Sequence, residues 1–176
     1  MNTTEKRYTL AILVNNHPGV LMRVVSLFSR RGYNINSLSV GETENEQFSR
    51  ITIVVNGDRA VVEQIKKQVS KLYDVKRVYE MTSNKSLQRE LVMVKVQTRH
   101  DNRSEVIELA EIFKAKIIDV TASTVTLEMT GSLDKIKSFL DLMLPYGIVE
   151  MARTGITALE RGARALSSIS YSEDEE

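Results

Sequence analysis

The chain has 176 residues, no cysteine, no tryptophan, two prolines and two histidines. Without thiols there are no disulfide frameworks, no thiolate nucleophiles and no Cys-ligated zinc or iron–sulfur centres. His17 and His100 each stand without a cysteine neighbour or a second histidine four residues on, so no H-E-x-x-H metal spacing arises. An excess of one charge is also missing. With 24 Lys+Arg against 23 Asp+Glu, a net charge of +1 offers no global footprint for nucleic acid or an acidic membrane. Long apolar runs are absent too: stretches such as Leu10-Ala11-Ile12-Leu13-Val14 fall far short of the ~20 residues of a membrane span. The first residues lack the pattern of a secretory signal, and the expected location is the cytoplasm. The glycine patterns that cradle phosphates and the G-x-S-x-G nucleophile turn do not occur. No catalytic residue and no metal ligand is assigned.

What is present is a repeated order of elements. Tyr8 to Val14 is rich in strand formers and stops at Asn15-Asn16-His17-Pro18-Gly19. Val20, Leu21, Val24, Leu27 and Phe28 then recur at helical spacing up to the stop at Gly32. Ile35 to Val40 and Phe48 to Val55 read as antiparallel strands around a polar hairpin loop. Val62, Ile65, Val69 and Leu72 mark a second helix, and Val75 to Met81 a closing strand. The order βαββαβ within residues 1–82 predicts a ferredoxin-like unit with two helices on one face of an antiparallel sheet.

After the polar linker Thr82-Ser83-Asn84-Lys85-Ser86 the order starts again. Strands are expected over 87–98, 116–121, 124–130 and 148–154. Helices are expected around Val106 to Phe113 and Leu133 to Met143. The fold class is therefore α+β, two tandem ferredoxin-like βαββαβ units over residues 1–82 and 83–176. Leu159, Ala163 and Leu166 suggest a short amphipathic helix near the end, weakened by Gly162. The terminal Glu173-Asp174-Glu175-Glu176 reads as a solvated tail. A ferredoxin-like sheet can bind RNA through aromatics on its central strands, but Phe48 to Val55 offers Phe48 alone, which disfavours RNA.

The most informative stretch is the turn Asn15 to Gly19. It joins a buried strand to a helix N-terminus, whose free amides and positive dipole end suit a carboxylate. Gly19 lets a ligand approach the backbone, and Pro18 sets the first helical residues without losing a hydrogen bond. At the far end of that helix, Arg31-Gly32-Tyr33-Asn34-Ile35 leads into the next strand, and Asn34 offers both amide donor and acceptor. These residues suit two roles equally well. They can hold the charged ends of a small amino acid, or Asn16 can cap the helix while Asn34 steadies a turn.

The run from Tyr8 through Leu38, with Asn16-His17-Pro18-Gly19-Val20-Leu21-Met22-Arg23-Val24 and Leu27 through Leu38 at its centre, resembles an ACT domain. With Ser49-Arg50-Ile51-Thr52-Ile53, Leu72-Tyr73-Asp74-Val75, Arg89-Glu90-Leu91 and Ile117-Ile118-Asp119-Val120-Thr121, most of the chain resembles the regulatory small subunits of acetolactate (acetohydroxyacid) synthase. The resemblance implies an ACT domain over 1–82 for amino-acid sensing and dimerisation, and a C-terminal small-subunit domain over 83–176. It implies a noncatalytic subunit that activates a thiamine-diphosphate-dependent large subunit in branched-chain amino-acid biosynthesis. Feedback inhibition by valine, and in some members by leucine or isoleucine, would pass through it. Thiamine diphosphate, Mg and FAD are then expected on the large subunit and no cofactor on this chain. The implied valine site carries over to Asn16, Gly19 and Asn34, with His17, Pro18, Val20, Leu21 and Ile35 as lining, placed between the ACT domains of a homodimer. Neither nucleic acid nor membrane is an expected partner. The alternative function is a free-standing ACT-domain sensor that regulates a different biosynthetic enzyme.

Overall fold

A computed structural model of the chain describes residues 6–168. The acidic run 173–176 lies outside the described residues. Within them the elements follow the expected order and form two compact units, one built from residues 6–87 and 156–168 and the other from 88–155.

The first unit contains β1 (Lys6–Asn15), α1 (Val20–Arg30), β2 (Ile35–Glu42), β3 (Phe48–Gly57), α2 (Arg59–Val69) and β4 (Val75–Glu80). Its antiparallel sheet runs β2-β3-β1-β4. Leu10, Ile12, Val14, Ile51, Ile53 and Val55 point to the helix side, where Val24, Phe28, Val62 and Ile65 meet them in one core. This follows from the period of two in the strands meeting the 3.6 period of the helices.

The chain leaves α1 through a complete C-terminal motif. Gly32 has φ +70°, its amide donates to Ser29 O at 3.1 Å, and the Tyr33 amide donates to Phe28 O at 3.0 Å. The Tyr33 and Phe28 rings then meet edge-on with centroids 6.3 Å apart. This fixes where β2 begins. The other helix of the unit starts on a side-chain cap, Asp58 Oδ1 accepting from the Val61 amide at 2.8 Å.

The second unit repeats the plan with β5 (Ser86–Gln97), α3 (Arg103–Phe113), β6 (Lys116–Val120), β7 (Thr124–Gly131), α4 (Leu133–Met143) and β8 (Ile148–Arg153), in strand order β6-β7-β5-β8. Val92, Val94 and Val96 pack with Val106, Leu127, Ile136 and Phe139. The buried Glu90 carboxylate is neutralised by a two-point pair with Arg153, at 3.0 and 2.5 Å.

Residues after 155 differ from expectation in two ways. Leu159, Ala163 and Leu166 do not share a helix. Residues 157–160 form a strand, β9 (Thr157–Glu160), with Ala158 buried and its neighbours turned outward, between Gly155 and Gly162, both at positive φ. Period two in Thr157-Ala158-Leu159-Glu160 and the flanking glycines outweigh the helical spacing of three apolar residues. Nor does the segment belong with everything after residue 82. It covers the side of the first sheet away from the helices, where Ala158 and Leu166 pack with Ala11, Leu13 and Met81. The Ile156 amide donates to Ser37 Oγ at 2.9 Å, Ser39 Oγ donates to Ile156 O at 2.8 Å, and Arg50 Nη2 donates to Ala158 O at 2.5 Å. Desolvation under this cover pushes the Arg50 guanidinium below its usual value, and the Glu44 carboxylate acts the other way.

Phe28 is fully buried beside the α1 terminus. Phe28→Ala is expected to cost ~3–5 kcal/mol in urea denaturation, by lost transfer energy and the cavity left behind. A loss under ~1 kcal/mol would show that the ring is not a core element.

Candidate ligand-binding site

The turn from Asn15 to Gly19 is shaped by residues far away in sequence. Its floor is Asp74, in the loop before β4, whose side chain is 4% exposed. Asp74 accepts from Asn15 Nδ2 at 3.3 Å, from His17 Nε2 at 2.8 Å and from Arg23 Nη1 on α1. The Asn15 amide also donates to Asp74 O at 2.9 Å. Burial acts to raise the Asp74 pKa, but the hydrogen bonds from Asn15 and His17 and the charges of Arg23 and His17 outweigh it. The carboxyl is held below its ordinary value of 3.8.

Asn16 points the other way, to the hairpin joining β2 and β3. Its amide donates to Gln47 O at 2.8 Å. Its side-chain Nδ2 donates to Glu42 Oε1 at 3.0 Å and to Glu46 O at 2.9 Å, and its Oδ1 accepts from Ser49 Oγ at 2.9 Å. Asn16 is thus not the cap of α1. The capping position is held by Gly19 at φ +88°, and no side chain caps the helix. Of the first-turn amides, that of Val20 donates back to His17 O at 3.4 Å, and those of Leu21 and Met22 have no acceptor in the α-helical pattern. A Cβ on Gly19 would meet nothing within 4 Å, so the demand for glycine comes from the backbone conformation and the space beside it is open.

The predicted site residues fall into two groups. Asn16, His17, Pro18 and Gly19 are exposed together in the turn, with Leu21 partly open beside them. Val20 is 3% exposed and packs in the core, so it does not line the surface. Asn34 and Ile35 lie beyond the other end of α1, whose eleven residues rise about 16 Å. One chain therefore does not bring the two groups together. At the Asn34 end a groove of about 780 Å³ is lined also by Lys6, Tyr8, Arg31, Tyr33 and Arg59. Among the described residues the Asn34 side chain has no hydrogen-bond partner, unlike Asn16.

Four residues of the site escape sequence reasoning: Asp74, Arg23, Glu42 and Ser49. Glu42, Ser49 and Asp74 reach the turn across 26 to 59 residues of chain, Arg23 meets Asp74 across 51, and no local spacing announces these contacts. Among the described residues no group of three His, Asp or Glu side chains is arranged to hold a metal ion, and no helix is long and apolar enough to cross a membrane.

Residues 10–77 match the family model for AHAS small subunit-like ACT domains, and residues 89–162 match that for the small subunit of acetolactate synthase. These matches define the class, an ACT-domain protein with a second ferredoxin-like unit. A probable acetolactate synthase small subunit of Archaeoglobus fulgidus is 50% identical over 156 residues, covering 89% of this chain and 98% of that relative. The small subunit of Mycobacterium leprae is 44% identical over 162 residues, covering 92% and 96%. The crystal structure of the acetolactate synthase small subunit from Thermotoga maritima superposes with a TM-score of 0.83 at 38% identity, over 90% of this chain and 99% of that one. The chain belongs to the acetolactate synthase small-subunit family. A small subunit of this kind implies a large subunit that carries catalysis.

Because the folded pKa of Asp74 lies below the unfolded one, its carboxylate contributes stability above about pH 4, and this is lost as pH falls through the depressed folded value. The stability difference between wild type and Asp74→Asn is therefore expected to narrow below about pH 4 in urea titrations at stepped pH. A difference that stays constant into strong acid contradicts the tethered carboxylate.

Proposed function

We propose that this small subunit senses valine, with weaker response to leucine or isoleucine, and relays its occupancy to the large subunit that it also activates. Thiamine diphosphate, Mg and FAD belong in this reading to the large subunit. The observation that carries it is the placement of the two asparagines relative to β2. β2 is an outer strand of the first sheet, and Val40 on it is 50% exposed, as are Leu21 at 37% and Met22 at 69% on α1. Asn34 stands at the start of β2, and Asn16 is bonded to Glu42 at its end. Antiparallel pairing of β2 with the same strand of a second copy, about a two-fold axis, sets the Asn34 end of one against the Asn16 end of the other. Two sites per homodimer result, each with a carboxylate-binding turn from one chain and a free amide from its partner.

Regulation then follows from linkage. An amino acid that bridges two chains favours the dimer arrangement it fits. It inhibits by as much as that arrangement differs in its interaction with the large subunit, typically ~1–3 kcal/mol. A methylene is worth only ~1–3 kcal/mol in such a pocket, so cross-response among branched aliphatic amino acids is expected.

Calorimetry with valine, together with inhibition of the reconstituted enzyme, tests this. Asn16→Ala and Asn34→Ala are each expected to raise the valine concentration needed for binding and inhibition by tenfold or more. An equal mixture of the two variants is expected to regain binding, because each mixed dimer has one intact site. Failure of the mixture to regain binding overturns the shared site, and loss of activation with unchanged inhibition overturns the sensing role. Val40→Asp is expected to shift the mass in sedimentation from dimer towards monomer. An unchanged mass removes the β2 interface.

A further inference from the structure

The Asn16 side chain has two amide hydrogens and both are engaged. Ser49 Oγ donates to Oδ1 at 2.9 Å and so fixes the plane of the amide. One hydrogen goes to the backbone carbonyl of Glu46 at 2.9 Å, the other to Glu42 Oε1 at 3.0 Å. The first two partners are not readily exchanged. Ser49 is 8% exposed. The Glu46 carbonyl belongs to a hairpin loop closed by the Phe48 amide on Asn45 O at 2.9 Å and the Thr43 amide on Phe48 O at 3.1 Å. Glu42 is different. Its side chain is exposed, and among the described residues no lysine, arginine or histidine forms an ion pair with it. It presents to Asn16 the functional group that an α-amino acid would present.

We propose that Glu42 is a built-in competitor of the amino acid, its carboxylate occupying on Asn16 the hydrogen that the ligand's carboxylate needs. The inference rests on the reading of Asn16 as part of the amino-acid site. A ligand carboxylate takes that hydrogen only by displacing Glu42, so Glu42 sets the concentration at which the site responds. Neither the position of Glu42 at the end of β2 nor its distance in sequence from Asn16 marks it for this role. The contact does.

The test is valine binding to the full chain by calorimetry. Glu42→Ala and Glu42→Gln are expected to bind valine about three- to tenfold more tightly than wild type, the range that one exposed hydrogen bond supports. Glu44→Gln removes a neighbouring charge of the same hairpin without touching Asn16 and is expected to stay within about twofold. Without ligand, the Asn16 side-chain amide resonance is expected to move in Glu42→Gln and to hold in Glu44→Gln. Unchanged binding by Glu42→Ala overturns the proposal. So does weaker binding, which would place the ligand's ammonium on Glu42 instead. Tighter binding by Glu44→Gln of the same size overturns it too, since charge alone would then suffice. If wild type itself binds no valine, the amino-acid reading falls and this proposal with it. If wild type binds and Glu42→Ala binds no more tightly, this proposal alone falls.

Discussion

A carboxylate held almost entirely out of water is tolerated only where donors surround it, and Asp74 has three, from Asn15, His17 and Arg23. Those donors lie on both sides of the α1 start, two before it and one on its first turns. The turn cannot rotate about the helix axis without breaking one of them. Because Asn15 and His17 face down to Asp74, Asn16 between them faces up to the β2–β3 hairpin, as the alternation of an extended chain requires. The aim of Asn16, the open first turn of α1 and the exposed backbone at Gly19 are thus consequences of one buried charge. Arg23 adds a second constraint, since its reach to Asp74 sets how far α1 can slide along the sheet.

The two units share a topology and differ in what covers their sheets. In β1, residues from Tyr8 through Val14 are buried without interruption, because the helices cover one face and residues 156–168 the other. In β5 the alternation survives: Val92, Val94 and Val96 are buried, while Met93 is 40% exposed. The same contrast is visible in the letters, Leu10-Ala11-Ile12-Leu13-Val14 against Leu91-Val92-Met93-Val94-Lys95. A continuous apolar strand signals burial on both sides, an alternating one burial on a single side.

Legibility in the sequence followed the range of the forces involved. The helices and strands were legible because their signals are local: the Gly32 stop, the period of Val20, Val24, Leu27 and Phe28, the alternation in β3. The positions of Asn16 and Asn34 at opposite ends of α1 were legible for the same reason. The identity of Asn16's partners was not, since Glu42 and Ser49 are brought to it by the sheet register and not by spacing. Asp74 was equally silent, being a single acidic residue before a strand. The destination of residues 156–168 is ambiguous in the sequence, because three apolar residues at helical spacing also fit a short strand followed by a tight turn. Tertiary burial of Ala158 decided between them.

The cover on the first sheet bears on modularity. An ACT domain invites treatment as a portable cassette, cut at a polar linker and joined to a new enzyme. Here the linker at 82–86 separates the strands from part of their own cover, because Ala158 and Leu166 arrive only after the second unit has been traversed. Recombination at that linker would carry away the first sheet and leave its outer face, with Ala11, Leu13 and Met81, without the residues that shield it from water. The first unit is continuous in space and interrupted in sequence. Inheritance by exchange of whole domains would therefore favour transfer of the full chain over transfer of its first half.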